Sequence, residues 1–278
     1  MSTNIGFIGG GNMATSLIGG LCRSDQDAPL VQAEQIWVFD KSADKTQTLK
    51  SNYGINVAAS NDEMVICCDI LVLAVKPQIL ETVLTPLVDS FAEKQPLLVS
   101  VVAGIKSVTM ERWLGRELPI IRVMPNTPAL VAVGASGLYA NARVSEEQKR
   151  LTVGLLDATG LSAWVDNEAD IDSVTALSGS GPAYFMLFIQ SLIDAGVQAG
   201  IEPETAKTLA VQTAVGAAEL IRQSDNSIAT LIDNVTSAGG TTEQALISFR
   251  EAGLPGIVAD AFTAAKTRSE EMATELDT

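Results

Sequence analysis

The chain of 278 residues contains no histidine. That removes the side chain most used as a general base and metal ligand near neutral pH. A Ser-His-Asp triad and a histidine-ligated zinc site are therefore excluded, and no metal site is expected. Cysteine is almost as scarce: there are three, Cys22, Cys67 and Cys68, and none forms a Cys-x-x-Cys pair. They read as small apolar residues of a reducing compartment, not as a disulfide framework. Basic residues are outnumbered, 18 Lys and Arg against 33 Asp and Glu, for a formal charge of −15. A nucleic-acid surface or an anionic membrane requires clustered Lys and Arg, so neither is expected as a partner. Long hydrophobic runs are also missing. The longest, Ala183–Ile189, falls far short of the roughly 20 residues of a membrane span. The opening Met1-Ser2-Thr3-Asn4 has no basic region, so no signal peptide is expected. A soluble cytoplasmic protein follows, and with 47% hydrophobic residues it has enough core for one large or two ordinary domains.

What is present begins at once. Ile5 to Ile8 form a short apolar run, Gly9, Gly10 and Gly11 follow, and Met13 to Ile18 reads as a helix. Strand, glycine turn and helix make a dinucleotide-binding turn, with the fingerprint G-x-G-x-x-A on Gly9, Gly11 and Ala14. A Cβ there would keep a pyrophosphate away from the backbone, and the helix start offers free N–H groups and a positive dipole end. A glycine cluster alone is often only a tight turn. A second apolar run, Gln35–Phe39, ends at Asp40, about the distance at which ribose is bound. Asp40 suits ribose hydroxyls and NAD; Lys41 and Ser42 suit a 2′-phosphate and NADP. Both cofactors stay open, as does a plain solvated strand end.

The first half alternates strand and helix patterns. Ile70–Val75, Leu97–Val102 and Ile120–Met124 are apolar runs of the kind a sheet covered on both faces uses. Such alternation means βαβ units, a mostly parallel sheet and ligands at the carboxyl ends of the strands. After Trp164-Val165-Asp166 the strand-like runs stop. Ala-rich helical patterns take over from Pro182, from Pro203, over 241–252 and over 255–271. The expected division is therefore an α/β Rossmann-like domain over 1–165 and an all-α domain over 166–278. The helix from Pro182 is apolar nearly all round and needs cover on several sides. A second copy of the chain is the expected cover, giving an interlocked helical dimer; a self-contained bundle is the alternative.

Two later segments place small residues and hydroxyls at helix starts: Leu177–Pro182 and Val235–Glu243. The first suits capping and close packing. The second, with Gly239, Gly240, Thr241 and Thr242, exceeds the needs of a cap and suits a carboxylate.

Five segments in order resemble the pyrroline-5-carboxylate reductase family: 6–14, 74–77, 122–128, 177–184 and 236–242. One departure is Ala238, where the family usually has proline, which makes that turn less rigid. The resemblance implies reduction of 1-pyrroline-5-carboxylate to L-proline, the last step of proline biosynthesis, with NADPH or NADH. It implies an interlocked homodimer, often assembled as a pentamer of dimers (a decamer). It places the substrate at Ser237, Gly239, Gly240, Thr241 and Thr242. It places the cofactor at Ile8, Gly9, Gly11, Asn12 and Met13, at Asp40, Lys41, Ser42 and Asn61, and at the loops Ala74-Val75-Lys76-Pro77, Ala103-Gly104 and Asn126-Thr127-Pro128.

Imine reduction suits a chain without histidine. The cofactor carries the hydride, and an imine that arrives protonated needs no strong side-chain acid. Thr242 is the candidate for orienting the ring nitrogen and so the catalytic residue; Lys76 is its rival. A β-hydroxyacid dehydrogenase would need a helix lysine, and none occurs between Lys149 and Lys207. A non-catalytic NADP-binding sensor would keep the first glycine turn without needing the second.

Overall fold

Short apolar runs become the strands of one sheet. In the computed structural model, residues 3–22 and 31–277 are described; Met1 and Ser2, where the expected lack of a signal peptide was read, lie outside them. The strands are β1 (Ile5–Ile8), β2 (Ile36–Phe39), β3 (Asn56–Val57), β4 (Ile70–Leu73), β5 (Leu97–Ser100), β6 (Ile120–Met124), β7 (Gly134–Ala140) and β8 (Gly160–Trp164). They lie in the order β3-β2-β1-β4-β5-β6-β7-β8. All neighbours are parallel except the antiparallel pair β6–β7. The order reverses between β1 and β4, the point where open parallel sheets bind ligands.

Among the described residues, eight α-helices accompany the sheet: α1 (Asn12–Leu21), α2 (Ala43–Tyr53), α3 (Asn61–Cys67), α4 (Pro77–Leu84), α5 (Val88–Glu93), α6 (Ser107–Leu114), α7 (Glu146–Asp157) and α8 (Asp170–Val174). Alternate strand residues feed two cores, one on each face. Ile5, Phe7, Ile70, Val72, Leu97, Val99, Ile121 and Val123 enter the first. Ile8, Leu71, Leu73, Leu98 and Ile120 enter the second. This is why β1, β4, β5 and β6 are buried at every position.

Five helices follow: α9 (Gly181–Gln198), α10 (Pro203–Gln223), α11 (Ile228–Asn234), α12 (Thr241–Glu251) and α13 (Leu254–Glu275). The chain divides into two compact units, residues 1–180 with 265–278, and residues 181–264. The expected boundary at 165/166 marks where strands end. The unit boundary falls later because α8 and the π-helical turn Thr175–Gly179 pack on the sheet, where Ile171 and Ala176 are buried. The last turns of α13 also return to the first unit, burying Ser269 and Ala273.

The second unit has almost no core of its own. Among the described residues 181–264, Ala206 is the sole buried hydrophobic, while Phe185 is 73% and Leu187 70% exposed. One aromatic pair, Phe188 with Phe249, has ring centroids 5.9 Å apart. The sequence reading expected the helix from Pro182 to be buried on several sides; within one chain it is not. By length and composition the helical run Asp170–Gln198 contains an 18-residue window with a mean hydropathy of 1.2, long and apolar enough to cross a membrane. The contiguous run Ala183–Ile189 understates this, because isolated polar residues interrupt a segment that stays apolar on average.

Cys68 is buried beside β4. Burial, helped by the neighbouring Cys67, pushes its thiol up to about 12. A protonated thiol is a poor nucleophile. Iodoacetamide at mildly alkaline pH therefore leaves Cys68 unmodified in the native protein and modifies it after unfolding in urea, as peptide mass spectrometry will read.

Candidate active site

The first site is built where β1 hands over to α1. Gly11 is the N-cap of α1, with extended backbone and no side-chain cap. The N–H groups of Asn12, Met13 and Ala14 have no acceptor within the helix, and they sit at its positive end. Gly9 is left-handed, φ +107°. Its N–H donates to the Phe39 carbonyl at 2.8 Å, while the Ala74 N–H donates to the Ile8 carbonyl at 2.9 Å. The turn is thus tied to the carboxyl ends of both β2 and β4.

A cleft of about 260 Å³ opens there. Of the expected cofactor residues, Ile8, Gly9 and Gly11 line it from the turn, Asp40, Lys41 and Asn61 from one side, and Ala74, Val75 and Lys76 from the loop after β4. Phe39, Lys45, Ile79 and Val83 line it as well, and sequence reasoning missed them. Ile79 and Val83 lie one helical turn apart on α4, a spacing that was available to find them.

Asp40 is committed to the protein backbone. One carboxylate oxygen accepts from the Gly10 N–H and the other from the Ser42 N–H, each at 2.8 Å. Burial works to raise its pKa, but these two N–H groups and Lys45, 3.5 Å away, outweigh it and hold the carboxyl below its ordinary value. Asp40 therefore locks the glycine turn as an anion. Lys41 and Lys45 put positive charge on the same wall, which fits the 2′-phosphate of NADP. The Asn61 side-chain oxygen is buried without a hydrogen-bond partner. A buried acceptor in a cleft wall needs a donor, and the amino group of an adenine is one. A Cβ on Gly11 would meet nothing within 4 Å, so the space in front of the free N–H groups is open for a pyrophosphate. The residues present fit a dinucleotide.

The remaining expected contacts lie outside the cleft wall. Asn12 and Met13 are the first residues of α1. Ser42 is the N-cap of α2, and Pro77 opens α4. Ala103 and Gly104 form the loop after β5, and Thr127 and Pro128 a 3-10 turn after β6, both at the carboxyl edge of the sheet. The Asn126 side chain is occupied: it donates to the Ser178 carbonyl at 3.0 Å and accepts from the Ala135 N–H at 2.9 Å. It staples β6 to its neighbours, and one N–H of the amide is left without a partner from these two bonds.

The second site, described on its own, is the turn before α12. Gly240 is the N-cap, again without a side-chain cap. Gly239 is left-handed, φ +73°. Its N–H donates to the Glu243 carboxylate at 2.7 Å, and the Gly240 N–H donates to the Ser237 carbonyl at 2.9 Å. The glycines therefore shape the turn and do not offer their own amides. The N–H groups left without an intrahelical acceptor are those of Thr241, Thr242 and Glu243. Ser237, Gly239, Gly240, Thr241 and Thr242 all lie at this helix head. A pocket of about 370 Å³ beside it is lined by Thr236, Ala238 and Glu243 together with Arg250.

Two families match the two parts of the chain. NADP oxidoreductase, coenzyme F420-dependent, matches residues 4–104, and pyrroline-5-carboxylate reductase dimerisation matches residues 168–272. The pyrroline-5-carboxylate reductase of Pseudomonas aeruginosa is 47% identical over 277 residues, 99% of either chain. The chain belongs to the pyrroline-5-carboxylate reductase family. The pyrroline-5-carboxylate reductase structure from Coxiella burnetii, 39% identical, has a TM-score of 0.92 over 98% of this chain and 99% of that one. The Plasmodium falciparum structure, solved with NADP bound, is 35% identical with a TM-score of 0.83 over 98% of both chains. Membership of this reductase family makes the protein an NADP-dependent oxidoreductase. The match over 168–272 also explains the coreless second unit: it carries the family's dimerisation region, and its exposed apolar helices belong to a homo-oligomer.

Proposed function

We infer that the chain reduces 1-pyrroline-5-carboxylate to L-proline in proline biosynthesis. The observation that carries this is full-length identity of 47% to a pyrroline-5-carboxylate reductase, joined to two uncapped helix heads of the right chemistry. NADPH, when bound, supplies the hydride. The chain's residues do the rest. The turn at Gly9–Gly11 and the first N–H groups of α1 hold the pyrophosphate; Lys41 and Lys45 take the 2′-phosphate. The loops Ala74–Pro77, Ala103–Gly104 and Asn126–Pro128 line the nicotinamide. The N–H groups of Thr241, Thr242 and Glu243 grip the substrate carboxylate, within the turn shaped by Ser237, Gly239 and Gly240. The Thr242 hydroxyl orients the ring nitrogen; C5 takes the hydride, and the nitrogen either arrives already protonated or takes its proton from water. Holding reacting atoms in place is enough to supply much of the rate.

In this reading residues 1–165 bind the dinucleotide, and 166–278 dimerise and bind substrate. The dimer is interlocked, so the substrate turn serves the nucleotide domain of the partner. Pentamers of dimers are the larger assembly, and the enzyme is soluble and cytoplasmic, with no nucleic-acid or membrane partner.

Loss of NADPH or NADH absorbance with pyrroline-5-carboxylate tests the reaction directly, and absence of turnover with both removes it. Thr242→Ala is expected to lower kcat several-fold with the melting temperature unchanged, since only a hydrogen bond of about 1 kcal/mol is lost. Parent kinetics in that variant would remove Thr242 from the mechanism.

A further inference from the structure

The end of the chain packs against the loop that the proposed function assigns to the nicotinamide. Val102 and Ile105 flank Ala103 and Gly104 and are buried in the second core. Gly104 is buried and left-handed, φ +74°. A Cβ built on it would lie 3.3 Å from Leu276 Cδ1 and 3.7 Å from the Ala273 backbone nitrogen. Leu276 itself packs into the core that holds Val102 and Ile105. One residue on, Asp277 is gripped by α6, the helix this loop leads into. The buried Thr109 hydroxyl donates to the Asp277 carboxylate. The Arg112 guanidinium donates to the Asp277 carbonyl at 2.8 Å and to its carboxylate at 3.2 Å. Upstream, the Ser269 hydroxyl donates to Asp172 at 2.6 Å, with both residues buried.

Chain ends ordinarily fray unless they are tied down. This one is tied at Ser269, Leu276 and Asp277, and the tied part backs a loop with little regular hydrogen bonding of its own. We propose that Leu276 and Asp277 are positioning residues for the reaction: they hold the Val102–Ile105 loop in the place that receives the nicotinamide. The inference rests on the cofactor reading above. Thr109 and Arg112 are the anchors that let the tail act, and none of the four touches a reacting atom.

The test is NADPH affinity, measured by fluorescence titration of the full-length protein, beside steady-state kinetics. Leu276→Ala and Asp277→Ala are each expected to weaken NADPH binding about tenfold, as small displacements of a binding loop do. KM for NADPH rises with it, while KM for pyrroline-5-carboxylate stays at the parent value. Asp277→Asn keeps the carbonyl acceptor for Thr109 and Arg112 and restores most of the affinity. A lower melting temperature with unchanged NADPH affinity in both alanine variants would make the tail a stability element only and overturn the proposal. Failure of the parent protein to bind NADPH would overturn the cofactor reading and this inference with it. Parent binding with equally tight variants overturns the inference alone.

Discussion

Gly9→Ala gives a protein that binds NADPH at least about tenfold more weakly and melts several degrees lower. A Cβ at this position would lie 2.6 Å from the Ala74 carbonyl oxygen and 3.0 Å from Val75 Cγ1. Its φ of +107° is one that alanine adopts only with strain of about 1–3 kcal/mol. Either the turn rotates or the end of β4 moves, and both walls of the cleft depend on that contact. Gly11→Ala gives a different outcome from the same motif. Gly11 has an extended backbone that any residue adopts, and a Cβ there meets no protein atom within 4 Å. That variant keeps the parent melting temperature and loses NADPH affinity, because the methyl group occupies the space before the free N–H groups of α1. One glycine serves the protein's own backbone and the other serves the ligand. Thermal melts and NADPH titrations on the pair read this directly; a Gly9→Ala protein with parent stability and parent affinity would refute the account of the turn.

The contrast also shows what a sequence reveals. β1, β4, β5 and β6 are legible because strands covered on both faces carry an uninterrupted apolar run. β7 is not legible in the same way, because Gly134-Ala-Ser-Gly-Leu-Tyr-Ala carries no uninterrupted apolar run. It is a strand for tertiary reasons: it pairs with β6 on one side and β8 on the other. A Cβ on Gly137 would come within 2.7 Å of Val174 Cγ2, so only a glycine lets α8 lie that close. The cleft follows the same rule. Gly9, Gly11, Asp40 and the 74–77 loop are found by spacing from the glycine turn. The hydrogen bonds that commit Asp40 to Gly10, or Asn126 to Ser178, join residues 30 and 52 positions apart and leave no local pattern. Nor does the sequence tell which amides at the head of α12 are free, since that turns on where the Glu243 side chain folds back.

Glu168→Ala is expected to cost about 3 kcal/mol, because it leaves the buried Arg122 guanidinium without its partly exposed counter-charge. The Arg122 side chain on β6 is 5% exposed, and Glu168 lies 3.2 Å from it. The same carboxylate accepts from the Ser107 N–H at 2.6 Å and the Ser107 hydroxyl at 2.9 Å, at the positive start of α6. Without it, a guanidinium whose Nε is already buried without a partner loses its counter-charge, and a helix start loses its cap. At roughly 2–4 °C per kcal/mol for a domain of this size, the melting temperature falls by on the order of 10 °C. Glu168→Gln separates the two causes: it keeps an acceptor for Ser107 but removes the charge, so its loss falls between parent and alanine. The variant also reaches the active site through the fold, because α6 begins where the Val102–Ile105 loop ends, and a loosened helix start frees that loop at its far end. NADPH affinity should therefore fall in Glu168→Ala in parallel with stability. A melting temperature within about 2 °C of the parent would mean that Arg122 finds other partners or water in the cavity beside Lys106 and Asp172, and that the pair contributes little to holding the sheet to α6.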